Sequence, residues 1–82
     1  MNIYTAKVFK NRGSKFAMYE CDAQLAINIL KGKTHAGEAT IYFGDEIVGR
    51  RWKLTPSERT DNRRKYGWFF DHRDIEEMEY DV

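Results

Sequence analysis

ATIYFGDEIVGRRWKL, residues 39–54, reads as two strands joined by a tight turn. Thr40, Ile41, Tyr42 and Phe43 are β-branched or aromatic and suit a pleated, half-buried surface. Gly44-Asp45 signals the turn, because glycine supplies positive φ without steric cost. With a two-residue loop, Ile41 faces Val48 and Tyr42 faces Ile47. With Glu46 in the loop, Phe43 faces Ile47 instead. A slip of one residue exchanges the two faces, so both registers stay open. Gly49 within a strand signals a bulge or a close backbone approach. Beyond it, the alternation sets Trp52 and Leu54 inward and Arg51 and Lys53 toward water, with Arg50 at the margin of the Trp52 face.

Working outward, Ile3 to Phe9 alternates as a strand, with Tyr4, Ala6 and Val8 on one face and Thr5 and Lys7 on the other. After a basic turn at Lys10–Lys15, Phe16 to Cys21 alternates again, and a loop of that length joins an antiparallel pair. Asp22 is an N-cap whose carboxylate accepts first-turn amides. Ala23, Ala26, Ile27 and Leu30 then recur at helical spacing, widened by Leu25 and Ile29, until Gly32 stops the helix. Thr55-Pro56-Ser57-Glu58 is a helix start, although Arg59 to Lys65 offers almost no apolar face to bury. Trp68-Phe69-Phe70 reads as a short returning strand. Asp74 is placed to cap a final turn carrying Ile75 and Met78.

These elements predict an α+β fold: an antiparallel sheet of four to five strands with one helix packed on a face, in ββαββ order with a short C-terminal strand or turn. Eighty-two residues make one domain and one core. The expected division is a single α+β domain over residues 1–72 and an acidic tail over 73–82. A core this small admits a homodimer. The lone Cys21 leaves no intrachain disulfide, as expected of a reducing cytoplasm. The first residues lack a basic region followed by an apolar run, and no apolar run approaches membrane-spanning length. A cytoplasmic protein without membrane contact is expected.

The net charge of +1 hides segregation. Residues 50–65 carry seven basic and two acidic groups, whereas residues 71–82 carry one basic and six acidic. Arg50, Arg51, Lys53, Arg59, Arg63, Arg64 and Lys65 lie near Trp52, Tyr66 and Trp68 in sequence. Cations neutralise phosphates and aromatic faces stack on unpaired bases, so this segment is a candidate nucleic-acid surface; the blander alternative is a solvated loop. The acids Asp71, Asp74, Glu76, Glu77, Glu79 and Asp81 suit a solubilising end, a mask for the Arg cluster, or a partner contact.

Catalytic and metal chemistry have little to build on. Cys21, His35 and His72 stand in unrelated local contexts, and a Cys in such a place is more often a small core residue. Asp71, His72 and Asp74 lack the spacing of a metal site. No glycine-rich phosphate loop is present. Neither a catalytic residue nor a metal or cofactor is expected, and the chain is read as a non-enzyme.

In its short single domain, the strand–helix–strand plan of Phe16–Leu54, the basic Arg50–Lys65 segment and the acidic end from Asp71, the chain resembles small phage-encoded inhibitor proteins, the anti-CRISPR proteins among them. That resemblance is one of general character and transfers no site residue. It implies inhibition by binding, with a protein partner that handles nucleic acid. The expected contact residues are Arg50, Arg51, Trp52, Lys53, Arg59, Arg63, Arg64, Lys65 and Trp68, with an acidic contact at Asp74, Glu76, Glu77 and Glu79. The alternative is a small nucleic-acid-binding protein using the same Arg50–Lys65 segment.

Overall fold

The computed structural model describes residues 2–9, 15–35, 37–53 and 68–80, with the backbone alone at 68–69 and 79–80. The expected helix start at Thr55 and the basic residues Arg59, Arg63, Arg64 and Lys65 lie outside the described residues. Five strands form one antiparallel sheet: β1 (Tyr4–Phe9), β2 (Phe16–Cys21), β3 (Ala39–Phe43), β4 (Glu46–Lys53) and β5 (Trp68–Asp71). Their spatial order is β2-β1-β3-β4-β5. Two helices, α1 (Ala23–Leu30) and α2 (Arg73–Tyr80), complete an α+β architecture. No helix among the described residues is long and apolar enough to cross a membrane.

Strand alternation builds the core on one face. Tyr4, Ala6 and Val8 of β1, Ala39 and Ile41 of β3, and Val48 of β4 are buried beneath Ala26, Ile29 and Leu30 of α1 and Ile75 of α2. Each large apolar side chain so enclosed contributes about 1.5–3 kcal/mol relative to exposure. Tyr4 stacks obliquely on Phe43 with ring centroids 5.5 Å apart.

Both ends of α1 follow from the sequence. Asp22 is extended, and its carboxylate accepts from the Leu25 amide at 2.8 Å. At the other end Gly32 takes φ +78°. Its amide donates to Ile29 O, and the Lys33 amide reaches back to Asn28 O. This paired arrangement satisfies carbonyls that the last turn leaves open, and it needs a residue comfortable in the left-handed region.

The hairpin resolves the open register in an unexpected way. Gly44-Asp45 is the whole loop, with Gly44 at φ +63°, and Tyr42 pairs with Ile47. The ladder then shifts, so that Ile41 faces Gly49 rather than Val48. The extra residue places Val48 and Gly49 both toward the core, where both are buried. It also reverses the parity of the rest of β4. Arg51 pairs with Ala39 on the helix-covered side, whereas Arg50 pairs with Thr40 on the open side. The expected inward Trp52 and outward Arg51 are therefore exchanged.

The C-terminal segment departs most from expectation. Residues 73–80 form a helix rather than a tail or a single turn, and Ile75 is fully buried against the core. The acid that meets its first amide is Asp71, whose Oδ1 accepts from Arg73 N at 3.1 Å. Asp74 lies inside the first turn instead of capping it.

Candidate functional site

Both helices pack against the Tyr4–Ile41–Val48 side, so the opposite face of the sheet carries no helix among the described residues. Its composition follows from register. Thr5, Lys7 and Phe9 of β1 lie opposite Glu20, Met18 and Phe16 of β2. Thr5 and Lys7 also pair with Tyr42 and Thr40 of β3. Tyr42 and Thr40 in turn pair with Ile47 and Arg50 of β4.

Three of the four large hydrophobic residues exposed among the described residues lie on this face. Phe16, Met18 and Ile47 are 50%, 55% and 56% exposed. Exposed apolar side chains are ordinary when scattered and carry more weight when they share a face. Two cations of the face, Lys7 and Arg50, lie over its rings. Lys7 Nζ stands 4.4 Å from the Phe16 ring centroid and 5.4 Å from that of Phe9. The Arg50 guanidinium stands 5.0 Å from the Trp52 ring. Such contacts hold a charge in place while shielding the ring beneath it. A shallow depression lined by Thr5, Met18, Tyr42, Gly44 and Asp45 opens on this face. Another lies where β4, β5 and α2 meet, lined by Val48, Gly49 and Asp74 as well as Ile47, Arg50, Trp52 and Asp71.

Among the described residues, the basic side chains of β4 do not converge. Arg50 lies on the open face with Trp52. Arg51 lies on the covered side, where its Nη1 donates to Leu30 O at 3.4 Å and burial lowers its pKa. Lys53 is exposed at the end of β4, opposite Trp68 in the ladder. Of Trp68 only the backbone is described, and Arg59, Arg63, Arg64 and Lys65 lie outside the described residues. On α2, Asp74 and Glu77 are exposed, Glu76 reaches His72 Nδ1 at 3.1 Å, and the Glu79 side chain lies outside the description.

Lys7, Phe9, Phe16, Met18, Tyr42 and Ile47 were missed as surface residues. The available signal was that β1 and β2 carry large apolar groups on both parities, Tyr4 and Tyr19 on one, Phe9, Phe16 and Met18 on the other. A sheet covered on one side needs only one apolar parity.

Cys21 is buried, and its thiol is pushed up to about 11, first by burial and then by the Asp22 carboxylate. His35 is bound by the Tyr19 hydroxyl at 2.7 Å. His72 follows β5, at the opposite edge of the sheet from Cys21 in β2. Among the described residues no group of three or more His, Cys, Asp or Glu side chains is placed to hold a metal ion. Set against known proteins, the chain matches no family model, no curated protein and no solved structure.

Proposed function

We propose that this protein is a non-enzymatic binding module, an inhibitor or regulator that docks on a protein of a nucleic-acid-handling complex through the open face of its sheet. The observation that carries the reading is the half-exposed set Phe16, Met18 and Ile47 on that one face. Aliphatic groups such as Met18 and Ile47 suit an apolar protein surface better than a phosphate backbone. Lys7 and Arg50 supply the charge complementarity that orients an acidic partner, and Trp52 beside Arg50 is of the residue types that anchor interfaces.

The second reading is a single-stranded nucleic-acid binder. It is favoured by the cations seated over Phe16, Phe9 and Trp52, since the same rings offer stacking platforms and the same cations neutralise phosphates.

The test compares tagged wild type with a Met18→Glu/Ile47→Glu variant in pull-downs from bacterial lysate, with and without nuclease. A stoichiometric protein held by wild type after nuclease, and lost by the variant, supports the docking reading. Recovery of nucleic acid alone, with all protein released on digestion, favours the second. A protein held equally by both removes the open face as its site.

A further inference from the structure

We infer that the outer edge of β2 pairs with β2 of a second copy, antiparallel about Met18, to make one continuous ten-stranded sheet. The inference goes beyond the docking role of the open face and does not depend on it.

β2 ends the strand order, and no described strand pairs with its outer side. It is six residues long, FAMYEC, without a proline, and its Phe16 and Met18 are half exposed. An edge of this kind is a template for another strand, and it lacks the usual protections of shortness, bulges and inward charge. β5, at the other edge, has four residues.

The occupant is a second copy because the strand is self-complementary in one register. An antiparallel pair with Met18 on the two-fold axis sets Phe16 opposite Glu20 of the second copy and Ala17 opposite its Tyr19. Opposed residues share a face, so both copies keep their helices on the same side. On that side the large Tyr19 meets the small Ala17. On the open side, Lys7 already holds its ammonium 4.4 Å from the Phe16 ring. The pairing brings Glu20 of the second copy alongside that ring, and hence alongside the ammonium. Symmetry makes the charge contact twice. Moving the axis to Tyr19 sets two tyrosines against each other and carries Phe16 past the end of the partner strand. Moving it to Ala17 carries Glu20 off the strand. The Met18 register alone satisfies charge, size and strand length together.

The consequence is a doubled open face, with Phe16 and Met18 of both copies at its centre.

The experiment is sedimentation of the full chain over about 1 µM to 1 mM, with three variants. Wild type should rise with concentration from 9.7 kDa toward twice that mass. Glu20→Lys, at an exposed position, should weaken the dimer about tenfold. Met18→Cys should form an intermolecular disulfide under mild oxidation, because opposed antiparallel Cα atoms lie within disulfide range. Glu20→Cys should not, since Glu20 faces Phe16 rather than itself; Cys21 is left in place because it is buried. Three results overturn the inference: a 9.7 kDa species throughout, equal cross-linking by the two cysteine variants, or a dimer broken by Ile47→Glu and untouched by Glu20→Lys. A monomer that still retains a protein partner refutes the edge pairing and leaves the docking reading intact.

Discussion

Gly49 passes so close to Leu30 that a Cβ on it would stand 2.5 Å from Leu30 Cδ1. The same atom would also meet Ile75 Cδ1 and the Asp71 carbonyl oxygen, each at 3.1 Å. The bulge of β4 is thus the point where α1, α2 and β5 come together. Gly49→Ala should destabilise the protein by about 1–3 kcal/mol through overpacking. Urea denaturation checks it, and an unchanged midpoint would show that Leu30 moves aside freely.

Gly32→Ala meets two obstacles. The residue sits at φ +78°, and an added Cβ would come within 2.7 Å of Arg51 Nη1. A loss of about 1 kcal/mol or more is expected from the backbone alone. Arg51→Ala in the same background should recover the steric part and leave the conformational part, which a double-mutant cycle by thermal or urea unfolding resolves.

Ile75 makes the acidic C-terminal helix part of the core. Ile75→Ala should cost about 2–4 kcal/mol, and truncation after His72 should cost at least as much. A truncated chain with unchanged melting temperature would show that α2 adds nothing to the fold.

Asp71 links β5 to α2. The Arg73 amide at 3.1 Å, then the Arg73 side chain, hold its carboxyl below the usual carboxylate range. Folding therefore favours the ionised form. The stabilisation is fully present above the unfolded value near about 4 and is lost as pH falls through the lower folded value. It is modest, because the side chain is 43% exposed. NMR titration should give Asp71 a midpoint below that of a free aspartate. The stability gap between wild type and Asp71→Asn should narrow as acid is added.

Cys21 should be inert in the native state. With its thiol pushed up to about 11, the thiolate is scarce at pH near 8, and burial blocks access to it. Labelling by an aromatic disulfide reagent should run at least about 100-fold slower than in denaturant. Equal rates would mean that the β2–α1 junction opens readily.

Much of the architecture is legible because short-range rules agree with the fold. The alternation of Tyr4-Ala6-Val8, the Asp22 cap, the Gly32 stop and the Gly44-Asp45 turn each have a local cause. The side of the sheet that Arg51 and Trp52 occupy was not legible, although Gly49 marked the place. A bulge reverses every later residue of a strand, and its phase depends on what packs against it. α2 was hidden for a related reason. Ile75 and Met78 among so many acids make a weak stripe, and only the pocket formed by Leu30, Gly49 and the sheet gives Ile75 a reason to be buried. The open-face candidates were hidden because Lys7 looks like an ordinary solvated cation until the register with Phe16 and Met18 is known.

The strand order has a kinetic consequence. β1–β2 and β3–β4 are each joined through neighbouring sequence, so each hairpin can assemble on the microsecond scale of local structure. The β1–β3 seam closes over β2 and all of α1, and a longer loop must lose its freedom before any contact there repays it. Before that seam forms, the inner edges of β1 and β3 both lack the strand that covers them in the sheet. An uncovered strand edge is a template for another chain, so a hairpin exchanged between two molecules would build the same seam in trans.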